Sequence, residues 1–139
     1  MSALFTTSVL ATGGREGRVV SEDNIIDFQL VSPKELGGPG GEGTNPEQLF
    51  AAGYSACFDG MLNAIARKEK AGVTSTSVKA DVSFLKDEAD NGFKIGVVLN
   101  VSVNGVDEEK ARELVDKAHQ ACPYSKATRG NIDVELKLI

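Results

Sequence analysis

The 139-residue chain has no tryptophan, one histidine, two cysteines and four prolines. Two cysteines in a short chain exclude a disulfide-dense secreted scaffold. The opening MSALFTTSVLATGG has no basic leader, apolar core and small-residue cleavage site, so a cytoplasmic location is expected. A single histidine argues against a His-rich metal centre, and there is no paired Cys-x-x-Cys to replace it. Long apolar runs are missing too. The most apolar stretch, Leu49 to Ala66, is broken by Gly53, Asp59, Gly60 and Asn63, whereas a membrane span needs roughly 20 mainly apolar residues. Basic residues are in deficit: 15 Lys+Arg against 20 Asp+Glu give a net charge of -5, which excludes a general binder of nucleic-acid backbones. What remains, 41% hydrophobic and 25% charged, is ordinary globular composition, and the length suits one domain spanning residues 1–139.

Glycine is concentrated early, with eight of 15 in the first 43 residues. This predicts strands joined by turns. Phe5, Thr7, Val9 and Ala11 alternate with more polar neighbours, Arg18 to Val20 reads as extended, and Ile26, Phe28 and Leu30 alternate again. The loop Leu36 to Thr44 lacks both the P-loop lysine and the Gly-x-Gly-x-x-Gly spacing, so no nucleotide and no other bound cofactor is expected. Asn45-Pro46-Glu47 reads as a helix start: asparagine caps, proline suits the first helical position, and the carboxylate faces the positive end of the dipole. The helix is expected from about 46 to 70, buried on all sides because LFAAGYSACF is small or apolar nearly throughout.

Two alternating runs, Val78 to Phe84 and Phe93 to Val103, flank Asp90-Asn91-Gly92 and predict a hairpin. Asp107 caps a second helix with Ala111, Leu114, Val115 and Ala118 on one face, and Pro123 stops it. Ile132, Val134, Leu136 and Leu138 form a last strand. Strands, helix, hairpin, helix, strand is an α+β order with antiparallel sheets and two main helices.

The chemistry lies with the cysteines. Cys57 sits in mid-helix, where burial makes a thiol inert unless a cation stands by; the candidates are Arg15, Arg18 and Arg129. Glu47 can hold such a guanidinium by a two-pronged pair. Ten residues of helix separate Glu47 from Cys57, roughly 15 Å of rise, so Glu47 would meet the thiol of a second copy of the chain, not its own. Cys122 precedes Pro123 at a predicted helix-to-loop joint, where it is free to move toward Cys57. A buried and a mobile cysteine suit a two-cysteine redox cycle. Alternatives stay open: a Cys2His metal-binding protein using Cys57, His119 and Cys122, or a small acidic binding module with idle cysteines.

TGGREG at 12–17, GGPGGEGTNPEQLFAAGYSACF at 37–58 and ACPYSKATRGNIDV at 121–134 together resemble the organic hydroperoxide resistance (Ohr) branch of the Ohr/OsmC family, and the element order agrees along the whole chain. The resemblance implies an intertwined homodimer and a cysteine-based peroxidase that reduces organic hydroperoxides, including those of fatty acids. It implies that Cys57 is the peroxidatic cysteine and Cys122 the resolving one, with Arg15 activating the thiolate and Glu47 orienting Arg15. No metal takes part, and electrons come from an external dithiol, a lipoyl group on a partner protein or another dithiol donor. An OsmC-like peroxidase of broader specificity is the neighbouring alternative. Leu49, Phe50, Tyr54, Phe58 and Met61 are expected to line the substrate's path.

Overall fold

The computed structural model describes residues 2–139. Two units divide it, the first ending at Leu49 and the second running from Phe50 to Ile139.

In the first unit, β1 (Val9–Thr12), β2 (Arg18–Ser21) and β3 (Asp27–Gln29) form an antiparallel sheet in that order. Leu10 stands opposite Val20, and Val19 opposite Phe28. Between β1 and β2 the chain makes one tight turn, Gly14–Glu16, with Gly13 and Gly14 both at positive φ. Gly17 closes it, because a Cβ there would run into the Thr12 carbonyl. The double glycine therefore serves to present Arg15. A parallel bridge between Leu30 and Thr44 cinches the glycine loop, so the chain reaches Asn45 in a fixed register.

Helix α1 (Pro46–Lys68) starts where expected: the Gln48 amide donates to Asn45 Oδ1 at 2.7 Å. Its burial differs from expectation. Tyr54, Phe58, Leu62 and Ala66 form one buried stripe at i, i+4 spacing, while Ala52, Ala56, Gly60 and Ala64 are exposed. The apolar composition comes from small residues on the outer face, which need no cover; only the large side chains demand burial.

In the second unit, β4 (Ser75–Asp87) and β5 (Gly92–Asn104) pair as a long antiparallel hairpin, and β6 (Val134–Leu138) joins β5. That last pairing is parallel, so this sheet is mixed where antiparallel pairing was expected throughout. The cause is the connection. Helices α2 (Glu108–Ala121) and α3 (Pro123–Thr128) carry the chain back to the start of the sheet, as a parallel neighbour requires. Asp107 caps α2 by accepting from the Lys110 amide. The core joins the α1 stripe to Val97, Leu99, Val101 and Val103 of β5, at a period of two, and to Ala111, Leu114, Val115 and Ala118 of α2.

Candidate functional site

Helix α1 carries Cys57 just before Phe58 of the buried stripe, so the thiol stands at the edge of the core, half-buried. Cys122 is the single extended residue between α2 and α3, with φ -62° and ψ 125°. Its amide still bonds to the Ala118 carbonyl, ending α2, and Pro123 both forbids a helical residue before it and opens α3. The joint is thus helix-to-helix, not helix-to-loop. The expected burial is also reversed: Cys122 is fully buried and Cys57 is the more accessible thiol.

The two sulfur atoms lie 3.7 Å apart, with the Cys122 thiol donating to Cys57 Sγ. Both cysteines are free. Burial pushes the Cys57 thiol up, its hydrogen-bonded contact with Cys122 pushes the same way, and the backbone N–H of Tyr124 opposes them.

In the first unit, the turn carrying Arg15 and the first turn of α1 carrying Glu47 are joined by a two-pronged ion pair. Arg15 Nη1 donates to Glu47 Oε2 at 2.9 Å and Nη2 to Oε1 at 2.5 Å. The hydrogen bonds and charge of Arg15 hold the Glu47 carboxyl below the usual carboxylate range, against its partial burial. Glu47 in turn raises Arg15 above the ordinary arginine value. The guanidinium is a permanent cation with a fixed orientation, the property needed to steer a developing negative charge. Of the other candidate cations, Arg18 pairs with Asp27, and Arg129 Nη2 donates to the His119 carbonyl at 2.5 Å.

Beside Cys122 lies a network the sequence did not announce. Ser125 Oγ is 2.8 Å from the Tyr54 hydroxyl and 2.8 Å from His119 Nδ1. His119, named above only as a candidate metal ligand, is half-buried, and burial followed by the charge of Arg129 lowers its pKa, against the weaker pull of Asp116. The signal available was Pro123 followed by Ser125 and Thr128, which reads as a short helix with a polar inner face. Among the described residues no group of three or more His, Cys, Asp or Glu is placed to hold a metal ion, so Cys57, His119 and Cys122 form no such set.

A groove of about 460 Å³ opens next to the joint, lined mainly by Phe50, Ile95, Pro123, Tyr124 and Ile132. Of the residues expected to line a substrate path, Phe50 is the one that lines this groove. Tyr54 and Phe58 are fully buried core, and Met61 packs against that core. No helix among the described residues is long and apolar enough to cross a membrane.

The second unit carries a close pair of free thiols and the first an Arg–Glu ion pair, and the chain belongs to the Ohr/OsmC family. The model of the OsmC-like protein family matches residues 38–137. Over 136 residues the chain is 54% identical to the organic hydroperoxide resistance protein OhrB of Bacillus subtilis, covering 98% of each. It is also 54% identical over 135 residues to the organic hydroperoxide resistance protein of Xanthomonas axonopodis pv. citri, covering 97% of this chain and 94% of the other. The crystal structure of Bacillus subtilis OhrB superposes with a TM-score of 0.90 at 52% identity, over 99% of this chain and 100% of that one. That of an organic hydroperoxide resistance protein from Legionella pneumophila gives 0.94 at 45% identity, over 99% and 98%.

Proposed function

We propose that residues 1–139 work as one Ohr/OsmC-like domain, an enzyme that reduces organic hydroperoxides to alcohols and so confers resistance to them. The observation that carries this is the 3.7 Å approach of two free thiols from positions 65 residues apart. Similarity to organic hydroperoxide resistance proteins over nearly the full chain supports the substrate class.

The Cys57 thiolate attacks the distal peroxide oxygen. A sulfur–oxygen bond forms, the oxygen–oxygen bond breaks, and the leaving alkoxide takes a proton to become the alcohol. Cys57 is left as sulfenic acid. The Cys122 sulfur then attacks Cys57, the sulfur–oxygen bond breaks, and hydroxide leaves with the Cys122 proton as water. The disulfide is reduced by an external dithiol, a dihydrolipoyl group on a partner protein, through thiol–disulfide exchange. Burial raises the Cys57 pKa, so a cation is needed to favour the anion. Arg15 is that cation, and Glu47 orients it. The same positive charge stabilises the departing alkoxide.

The pair serving one chain's thiols comes from a second copy, and the protein works as an intertwined homodimer. Support comes from the first unit, which leaves Phe5 82%, Leu10 69% and Ile25 80% exposed, apolar groups that a second copy would cover. The apolar groove beside Tyr124 suits an alkyl chain better than hydrogen peroxide. Free thiols in this cycle suit a reducing compartment, the cytoplasm.

One titration tests the proposal. The reduced protein, freed of reductant, receives one equivalent of cumene hydroperoxide or of hydrogen peroxide, and its thiols are followed with peptide mass mapping. Loss of both thiols into a Cys57–Cys122 disulfide, faster with the organic peroxide, is expected. Equal rates would favour the broad-specificity OsmC-like alternative, and absent oxidation would overturn peroxidase chemistry altogether.

A further inference from the structure

Four polar groups close a network around the joint that carries Cys122. The Tyr54 hydroxyl of α1 touches Ser125 Oγ at 2.8 Å and Thr128 Oγ1 at 3.2 Å. Thr128 Oγ1 donates to the Ser125 carbonyl at 3.2 Å. His119 Nδ1 of α2 meets Ser125 Oγ at 2.8 Å. Tyr54, Ser125 and Thr128 are all buried, with Tyr54 and Ser125 fully enclosed.

The hydrogens can be counted. These are four contacts, and three hydroxyls supply one hydrogen each. Thr128 spends its hydrogen on the Ser125 carbonyl, so Tyr54 must donate to Thr128. Ser125 must then donate to Tyr54, which leaves Ser125 Oγ as an acceptor toward His119. With one hydrogen per contact, the fourth comes from His119 Nδ1–H. The lone histidine is therefore held in the tautomer protonated at Nδ1, and the network binds α1, α2 and α3 together on both sides of Cys122. The Arg129 guanidinium adds a fifth tie by donating to the His119 carbonyl at 2.5 Å.

We propose that Ser125 and His119 are positioning residues for the resolving half-reaction: by closing this network they hold the Cys122 sulfur on Cys57 and set how fast the sulfenic acid becomes a disulfide. The proposal rests on the thiol peroxidase reading above. Two fates compete for the Cys57 sulfenic acid. In one, Cys122 forms the sulfur–sulfur bond and water leaves. In the other, a second hydroperoxide transfers its distal oxygen to Cys57, giving sulfinic acid and a second alcohol. Neither residue supplies charge or a proton to the first attack, so loosening the joint slows only the first of these fates. Cys122 itself is packed in the core, its N–H donating to the Ala118 carbonyl and its carbonyl accepting from the Lys126 amide, so its place follows the two helices that the network ties together.

The test separates the steps. Ser125→Ala, His119→Leu and His119→Asn are reduced and mixed with excess cumene hydroperoxide. Sulfenic acid formation is followed by trapping with dimedone, disulfide formation by loss of the Cys122 thiol, and sulfinic acid by intact mass. In Ser125→Ala and His119→Leu the first step stays within about twofold, while disulfide formation slows about tenfold, the effect of one lost buried hydrogen bond, and the sulfinic fraction rises. His119→Asn places an amide N–H where Nδ1–H stood and recovers most of the disulfide rate. If Ser125→Ala fails to fold, the two His119 variants decide alone. An unchanged disulfide rate and sulfinic fraction, or an equal slowing of both steps, overturns the positioning role. If the unsubstituted protein forms sulfenic acid but no disulfide, the peroxidase reading fails in its second half and this proposal falls with it.

Discussion

The two units carry the proposed functional groups on different kinds of support. Among the described residues of the first unit only Val19, Ser21 and Leu30 are buried, and Arg15 is held by its ion pair with Glu47. In the second unit thirteen buried residues form one cluster with Cys122 among them, and Cys57 packs at its margin. Packing fixes a side chain to fractions of an ångström because the interior is close-packed, whereas a charge pair fixes direction and yields to salt and pH. A reaction between two sulfur atoms needs the first kind of precision. Steering a developing negative charge tolerates the second.

The sharpest test of this division is Cys57→Ser. Turnover of cumene hydroperoxide is expected to vanish, since a serine hydroxyl is no peroxide nucleophile, while the thermal midpoint moves by only a few degrees, about that of an ordinary half-buried substitution. Measurable turnover would move the chemistry off α1.

Leu99→Ala against Leu10→Ala probes the supports themselves. Leu99 is fully buried in β5, and its truncation costs about 2–5 kcal/mol whatever the protein concentration. Leu10, 69% exposed, would cost about 0.5 kcal/mol or less in a chain that works alone. In the proposed homodimer it costs more, and the cost grows on dilution. Urea unfolding across about a hundredfold range of concentration separates the cases. A small, concentration-independent loss for Leu10→Ala would remove the support that the exposed side chains lend to the homodimer.

How far the sequence reads ahead of the structure depends on whether the determinants are local. The Asn45 cap, the Asp107 cap and the alternation in β4 and β5 are local and were legible. So was the stripe of α2, where apolar residues alone mark the buried face. Around α1 the pattern misled, because alanine and glycine on the outer face look apolar without demanding cover. The parallel pairing of β6 was hidden as well: alternation gives a strand's faces, not its direction relative to a neighbour. At the site, chemistry left Arg15, Arg18 and Arg129 open as the cation that Glu47 holds, the resemblance singled out Arg15, and the structure pairs Arg15 with Glu47. The burial order expected of Cys57 and Cys122 was inverted, because Pro123 was read as the end of helical structure when it starts a further helix. The Tyr54–Ser125–His119 network joins residues up to 71 positions apart, beyond the reach of any local pattern.

The charge pair supports the last and smallest effects. Burial raises the Cys57 pKa, so the rate of the first step, read from sulfenic acid trapping, is expected to rise with pH as the thiolate fraction grows. Under the proposed mechanism Arg15→Ala raises that pKa further and slows the step about a hundredfold at neutral pH, the scale of one lost group stabilising a developing anion. Glu47→Gln keeps an oxygen for Arg15 but loses the charge and one prong, and is expected to slow the step about three- to tenfold. The sign at low pH follows from Glu47, whose pKa is depressed in the folded chain. Its contribution is complete above the ordinary carboxylate range and is lost only as pH falls through the lowered value. The unsubstituted protein should therefore show an acid limb below that range, and Glu47→Gln should erase it. An Arg15→Ala profile that superposes on the unsubstituted one would assign thiolate activation to another group, with the Tyr124 N–H the first candidate.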